Sequence, residues 1–122
     1  MEGVAGSALE LVGNTPMVRL RRVVEETDAQ ILAKMESLNP GGSVKDRLAQ
    51  AMVEEGEDSG ALLPGCTIVE ATSGNTGLAL AMAAAPKGYR CIFTMPYKMS
   101  QEKVKLLRAF GAEVVITPTA VP

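Results

Sequence analysis

From Val44 onward the apolar residues of this chain alternate between two spacings. Val44, Leu48 and Met52 recur every four residues with charges between them, which predicts a helix running into the Glu55–Gly60 stretch. Thr67-Ile68-Val69 reads as a strand after the turn Leu63-Pro64-Gly65. Leu78 to Ala85 is almost wholly apolar and predicts a helix buried on most sides, finished by Pro86, Lys87 and Gly88. Cys91 to Met95 is a second strand, ended by Pro96. Ser100 stands where an N-cap belongs, ahead of Val104, Leu107 and Phe110, and Gly111 follows as the C′ residue. Val114-Val115-Ile116 is the last strand. Helix, strand, helix, strand, helix, strand calls for an α/β fold: a parallel sheet covered by helices. Two earlier runs, Met17 to Leu20 and Ala29 to Met35, also read as strands but have no partner in that alternation. They and a chain end one step past a strand suggest a piece of a larger protein.

Composition removes whole classes of function. The chain has 122 residues, enough for one domain, with 47% hydrophobic and 21% charged residues, too apolar for a disordered tail. Twelve Lys and Arg against fourteen Asp and Glu argue against a nucleic-acid or membrane-surface binder. Two Tyr, two Phe and no Trp leave little for a base-stacking platform. Zero histidines exclude Ser-His and Cys-His dyads and His-ligated zinc or haem. Cys66 and Cys91 form no C-x-x-C and suit a reduced cytoplasmic chain, and no metal site is expected. No secretory leader or membrane-spanning run is visible.

Two loops could carry chemistry. Asn39-Pro40-Gly41-Gly42-Ser43 leads into Val44-Lys45-Asp46-Arg47, which puts Lys45 in the first turn of a helix. The positive end of a helix dipole disfavours an ammonium there and suits a lysine that reacts as a neutral amine. A solvated lysine paired with Asp46 or another acid fits the same string. Thr72-Ser73-Gly74-Asn75-Thr76-Gly77 joins the carboxyl end of a strand to a helix N-terminus, where open parallel sheets bind ligands. Its outward N–H groups, three hydroxyls and one amide make a cradle for a carboxylate or phosphate. A plain helix cap in a Gly-rich turn is the alternative. The string matches neither a P-loop nor a dinucleotide-binding loop.

Together these stretches resemble the fold-type II pyridoxal-phosphate enzymes, in particular the cysteine synthase and cystathionine β-synthase family. The resemblance begins at Leu11-Val12-Gly13-Asn14-Thr15-Pro16-Met17-Val18-Arg19-Leu20 and continues through residues 39–47 and Glu70 to Gly77. It takes in Gly88-Tyr89-Arg90, Met95-Pro96, Met99-Ser100 and Phe110-Gly111-Ala112-Glu113. It implies a three-layer parallel sheet with helices on both faces, part of that enzyme fold. It implies that Lys45 forms the Schiff base with pyridoxal 5'-phosphate and later acts as base on the substrate α-carbon. Asn75 would hydrogen-bond the cofactor's ring hydroxyl, while Thr72, Ser73, Gly74, Asn75 and Thr76 would hold the substrate carboxylate.

The reaction implied is β-replacement on serine or an O-acylserine by sulfide or homocysteine, in a cytoplasmic homodimer that binds neither nucleic acid nor membrane. The stretch Tyr97 to Val104 is closer to the cystathionine β-synthase branch. By the same resemblance, residues 1–16 and 39–122 belong to a smaller mobile domain, and 17–38 to an excursion into a larger cofactor domain. The family's phosphate-gripping loop and its partner for the pyridine nitrogen match nothing in this sequence, so the segment alone is expected to be inactive. Pro86 sits where the family's helix usually has no proline, and the haem-binding segment of animal cystathionine β-synthases is absent. A threonine dehydratase or threonine synthase type of enzyme is one alternative. A non-catalytic binding module, whose carboxylate loop docks a partner's C-terminus, is another.

Overall fold

The computed structural model describes residues 3–22, 29–72 and 74–118. The elements are β1 (Met17–Arg19), β2 (Leu32–Lys34), α1 (Lys45–Asp58), β3 (Thr67–Ala71), α2 (Asn75–Ala84), β4 (Arg90–Pro96), α3 (Gln101–Ala109) and β5 (Glu113–Thr117). Short 3-10 turns lie at Ala8–Leu11, Glu36–Leu38 and Ala85–Lys87. Strands β3, β4 and β5 form one parallel sheet in that order, with Val69 beside Ile92 and Phe93 beside Val114. Strands β1 and β2, which had no partner in the sequence reading, pair with each other, antiparallel and apart from that sheet.

Burial along the sheet follows the two-residue period of a strand. Cys91, Phe93 and Met95 are buried while the residues between them are half-buried. Phe93, Met95 and Leu80 are the largest fully buried apolar side chains, and α2 and α3 bring Leu80, Val104 and Leu107 onto them. On the other face Val69 stays 64% exposed and Val115 is exposed too. The α2 helix is buried on most sides as its composition predicts: every residue from Ala79 to Ala84 is buried. Its small alanines let α1 pack closely along it.

The helix ends obey local chemistry. The Ser100 hydroxyl accepts the Glu102 N–H at 3.3 Å, and Gly111 takes the left-handed conformation at φ 84°. Pro86 does not interrupt α2, because the α-helix ends at Ala84 and the proline enters a 3-10 turn closed by Gly88. One expectation changes in detail. The stripe Val44, Leu48 and Met52 does mark a helix, but it faces outward, and α1 buries Asp46, Ala49 and Val53 instead.

Candidate active site

The site lies at the carboxyl end of β3, where the chain turns through Thr72 into α2. Thr72 is buried, and its hydroxyl oxygen accepts the Gly77 N–H at 2.9 Å and the Gly74 N–H at 3.4 Å. The threonine therefore caps α2 from inside and holds the turn open. Gly77 is required by the same contact, because a Cβ there would overlap the Thr72 methyl group. Helix geometry leaves the first N–H groups of α2 without intrahelical acceptors, so those of Asn75 and Thr76 are open to a ligand. Asn75 is exposed and half-buried Thr76 stands beside it. Ser73, the remaining hydroxyl of the expected cradle, lies outside the described residues.

Lys45 begins α1, where its backbone N–H donates to the Ser43 hydroxyl at 3.2 Å. Its side chain is exposed and has no ion-pair partner among the described residues. The pairing with Asp46 that the sequence left open does not occur: the Asp46 carboxylate turns inward and is only 1% exposed. Lys45 and the second loop then meet. One cavity of about 440 Å³ is lined by Lys45, Thr72, Gly74, Asn75 and Thr76, with Glu70 and Lys103 at its wall. That volume falls in the ordinary range of small-molecule sites.

A polar network beneath the lysine escaped the sequence reading. Glu36 receives Arg47 Nε at 2.7 Å and Nη2 at 3.0 Å, and it also accepts the Thr15 hydroxyl proton and an Asn39 amide proton. The Arg47 and Thr15 bonds, with Asn39, hold the Glu36 carboxyl at about 2, well below the usual carboxylate range. Asn39 is buried; its oxygen accepts the Gly13 N–H at 2.8 Å and its amide donates to Ser43 O at 3.1 Å. Gly13 reaches that bond at φ 90°, a conformation that favours glycine. The only signal available in sequence was the two strings themselves, Gly13–Pro16 and Asn39–Ser43, which Asn39 joins in space.

These residues fit part of pyridoxal phosphate. An amine with no ion-pair partner among the described residues suits its aldehyde, and an amide at a helix N-terminus suits a ring hydroxyl or a carboxylate. Comparison with known proteins agrees: the profile of the family described as pyridoxal-phosphate dependent enzyme matches residues 8–121. The chain belongs to this family. It is 56% identical over 109 residues to a cysteine synthase of Staphylococcus aureus (strain N315), covering 89% of this chain and 35% of that protein. It is 58% identical over 113 residues to cystathionine beta-synthase of Rattus norvegicus, covering 91% of this chain and 20% of that protein.

Solved structures extend the likeness to the fold. An O-ureido-L-serine synthase superposes with a TM-score of 0.87 at 50% identity, over 94% of this chain and 36% of that one. An O-acetylserine dependent cystathionine beta-synthase from Helicobacter pylori gives a TM-score of 0.87 at 42% identity, over 95% and 39%. The fold is thus that of the fold-type II pyridoxal-phosphate enzymes. The chain spans between 20% and 39% of the length of these relatives.

Proposed function

We propose that this segment supplies the reactive lysine and the substrate-carboxylate loop of a pyridoxal-phosphate-dependent β-replacement enzyme. In that reaction serine or an O-acylserine loses its β-substituent, and a C–S bond to sulfide or homocysteine takes its place. The observation that carries the reading is that Lys45, with no ion-pair partner among the described residues, lines the same cavity as Thr72, Gly74, Asn75 and Thr76. The names of the Staphylococcus aureus and Rattus norvegicus relatives support the sulfur chemistry.

When bound, the cofactor supplies the electron sink that makes the substrate's α-proton removable. Lys45 would hold the cofactor through its amine, and its Nζ would take the substrate's α-proton. The N–H groups of Asn75 and Thr76 and the loop hydroxyls, Ser73 among them, bind the substrate carboxylate, and the Asn75 amide meets the cofactor's ring hydroxyl. Thr72 keeps the loop in shape. Residues 17–38 are assigned to an excursion toward a larger cofactor domain, which the separate pairing of β1 with β2 supports.

Lys45→Ala in the full-length gene product tests the reading. Sulfide or homocysteine consumption in the presence of serine or O-acetylserine should fall at least ~100-fold, the scale of a lost general base. Ammonia release without sulfur consumption by the unsubstituted protein would point instead to a deaminase of the threonine dehydratase type.

A further inference from the structure

We propose that Asp46 and Arg47 are positioning residues for Lys45, fixing the backbone beside the lysine by two anchors while Asp46 and Glu36 stay engaged elsewhere. This rests on the role given to Lys45 above. The first anchor is Asp46: its Oδ2 accepts the Gly41 N–H at 2.5 Å, closing the turn 41–46 into a ring with Lys45 inside it. The carboxyl is buried, and its Oδ1 has no hydrogen-bond partner among the described residues. A Cβ at Gly41 would lie 2.5 Å from that same Oδ1, so the glycine exists to let the carboxyl in.

The second anchor is Arg47, held by Glu36 at 2.7 Å and by Thr15 Oγ1 at 3.3 Å. Asn39, bonded to Glu36 and to Ser43 O, ties the same pair to the loop before the lysine. A lysine on a free loop would spread over many rotamers and pair with the nearest acid. Here the acid next in sequence, Asp46, is turned inward onto Gly41, and Glu36 is engaged by Arg47, Thr15 and Asn39. Lys45 is the member of the Lys-Asp-Arg string left facing the cavity.

The test uses the full-length gene product stripped of cofactor. Pyridoxal phosphate is added back, and the borohydride-trapped Lys45 adduct is quantified over time per folded molecule, with folding followed by circular dichroism. Asp46→Ala should slow adduct formation at least about tenfold while the fold persists. Asp46→Asn, which keeps an oxygen for the Gly41 N–H, should stay within about threefold of the unsubstituted rate. Asp46→Ala at the unsubstituted rate, or Asp46→Asn no better than Asp46→Ala, would overturn the proposal. If Asp46→Ala does not fold, Glu36→Gln serves instead: a tenfold slower adduct supports positioning, and an unchanged rate refutes it. Lys45→Ala runs in parallel, because an adduct surviving there refutes the role of Lys45 itself, whatever the other variants do.

Discussion

Glu36, in the 3-10 turn Glu36–Leu38, and Asp46, in the first turn of α1, are carboxyls whose environments push them in opposite directions. Arg47, Thr15 and Asn39 surround Glu36 with donors and hold it at about 2, against an ordinary 4.5. Asp46 is raised, first by burial and further by the charge of Glu36, with the Gly41 N–H working against both. The consequences for stability have opposite signs. Glu36 contributes fully above about pH 4.5, and its contribution is lost as pH falls toward about 2. Glu57, lowered by Lys87 and Tyr89, acts in the same sense. Asp46 favours the folded state at low pH and loses that contribution as pH rises through its raised value. Glu36→Gln should therefore flatten the acid side of the profile, and Asp46→Asn should steepen it. Urea midpoints measured from pH 2 to 6 check both, and parallel curves for all three proteins would contradict the assignment. Lys45, Thr72, Gly74, Asn75 and Thr76, which line one cavity, could be singled out because they lie in two short contiguous strings. The Thr15–Glu36–Arg47 network was not, because its members are 21 and 32 residues apart in contacts that no local pattern encodes.

Among the elements, α1 and α2 show where periodicity stops being informative. Spacing located both helices, and the alternation of helix with strand set the parallel sheet. Spacing did not tell which stripe of α1 faces in. The large residues Val44, Leu48 and Met52 point outward, while Ala49 and Val53 meet α2. The reason is steric: α2 is rich in alanine, and close approach of two backbones selects the small-residue face of its partner. Leu80 of α2 is fully buried against the sheet, so Leu80→Ala should cost about 2–5 kcal/mol. Leu48→Ala, on the exposed stripe of the same helical layer, should cost well under that in the segment alone, within about 1 kcal/mol. Urea unfolding of the two variants of residues 1–122 decides the matter, and equal losses would mean that α1 is rotated from the orientation described.

At the scale of the whole molecule, apolar strand residues stay exposed beside the proposed site. The face of the sheet bearing Val69 and Val115 is exposed, and so are Met17, Val18 and Leu32 of the β1–β2 pair. Exposed apolar strands of this kind are surfaces that other elements cover or that aggregate. In the proposed site Lys45 and the α2 N-terminus offer pyridoxal phosphate an amine and a set of N–H groups, and no group for its phosphate is assigned among the described residues. Forgoing two charge-assisted hydrogen bonds at ~1.5 kcal/mol each weakens binding about a hundredfold. Residues 1–122 prepared alone should therefore bind the cofactor at least about a hundredfold more weakly than the full-length gene product. The visible absorbance of the lysine adduct, titrated with cofactor in both proteins, measures the ratio. Equal affinities, with the band abolished by Lys45→Ala in each, would mean that the amine and the α2 N-terminus suffice to hold the cofactor, and the division of the site argued here would fail.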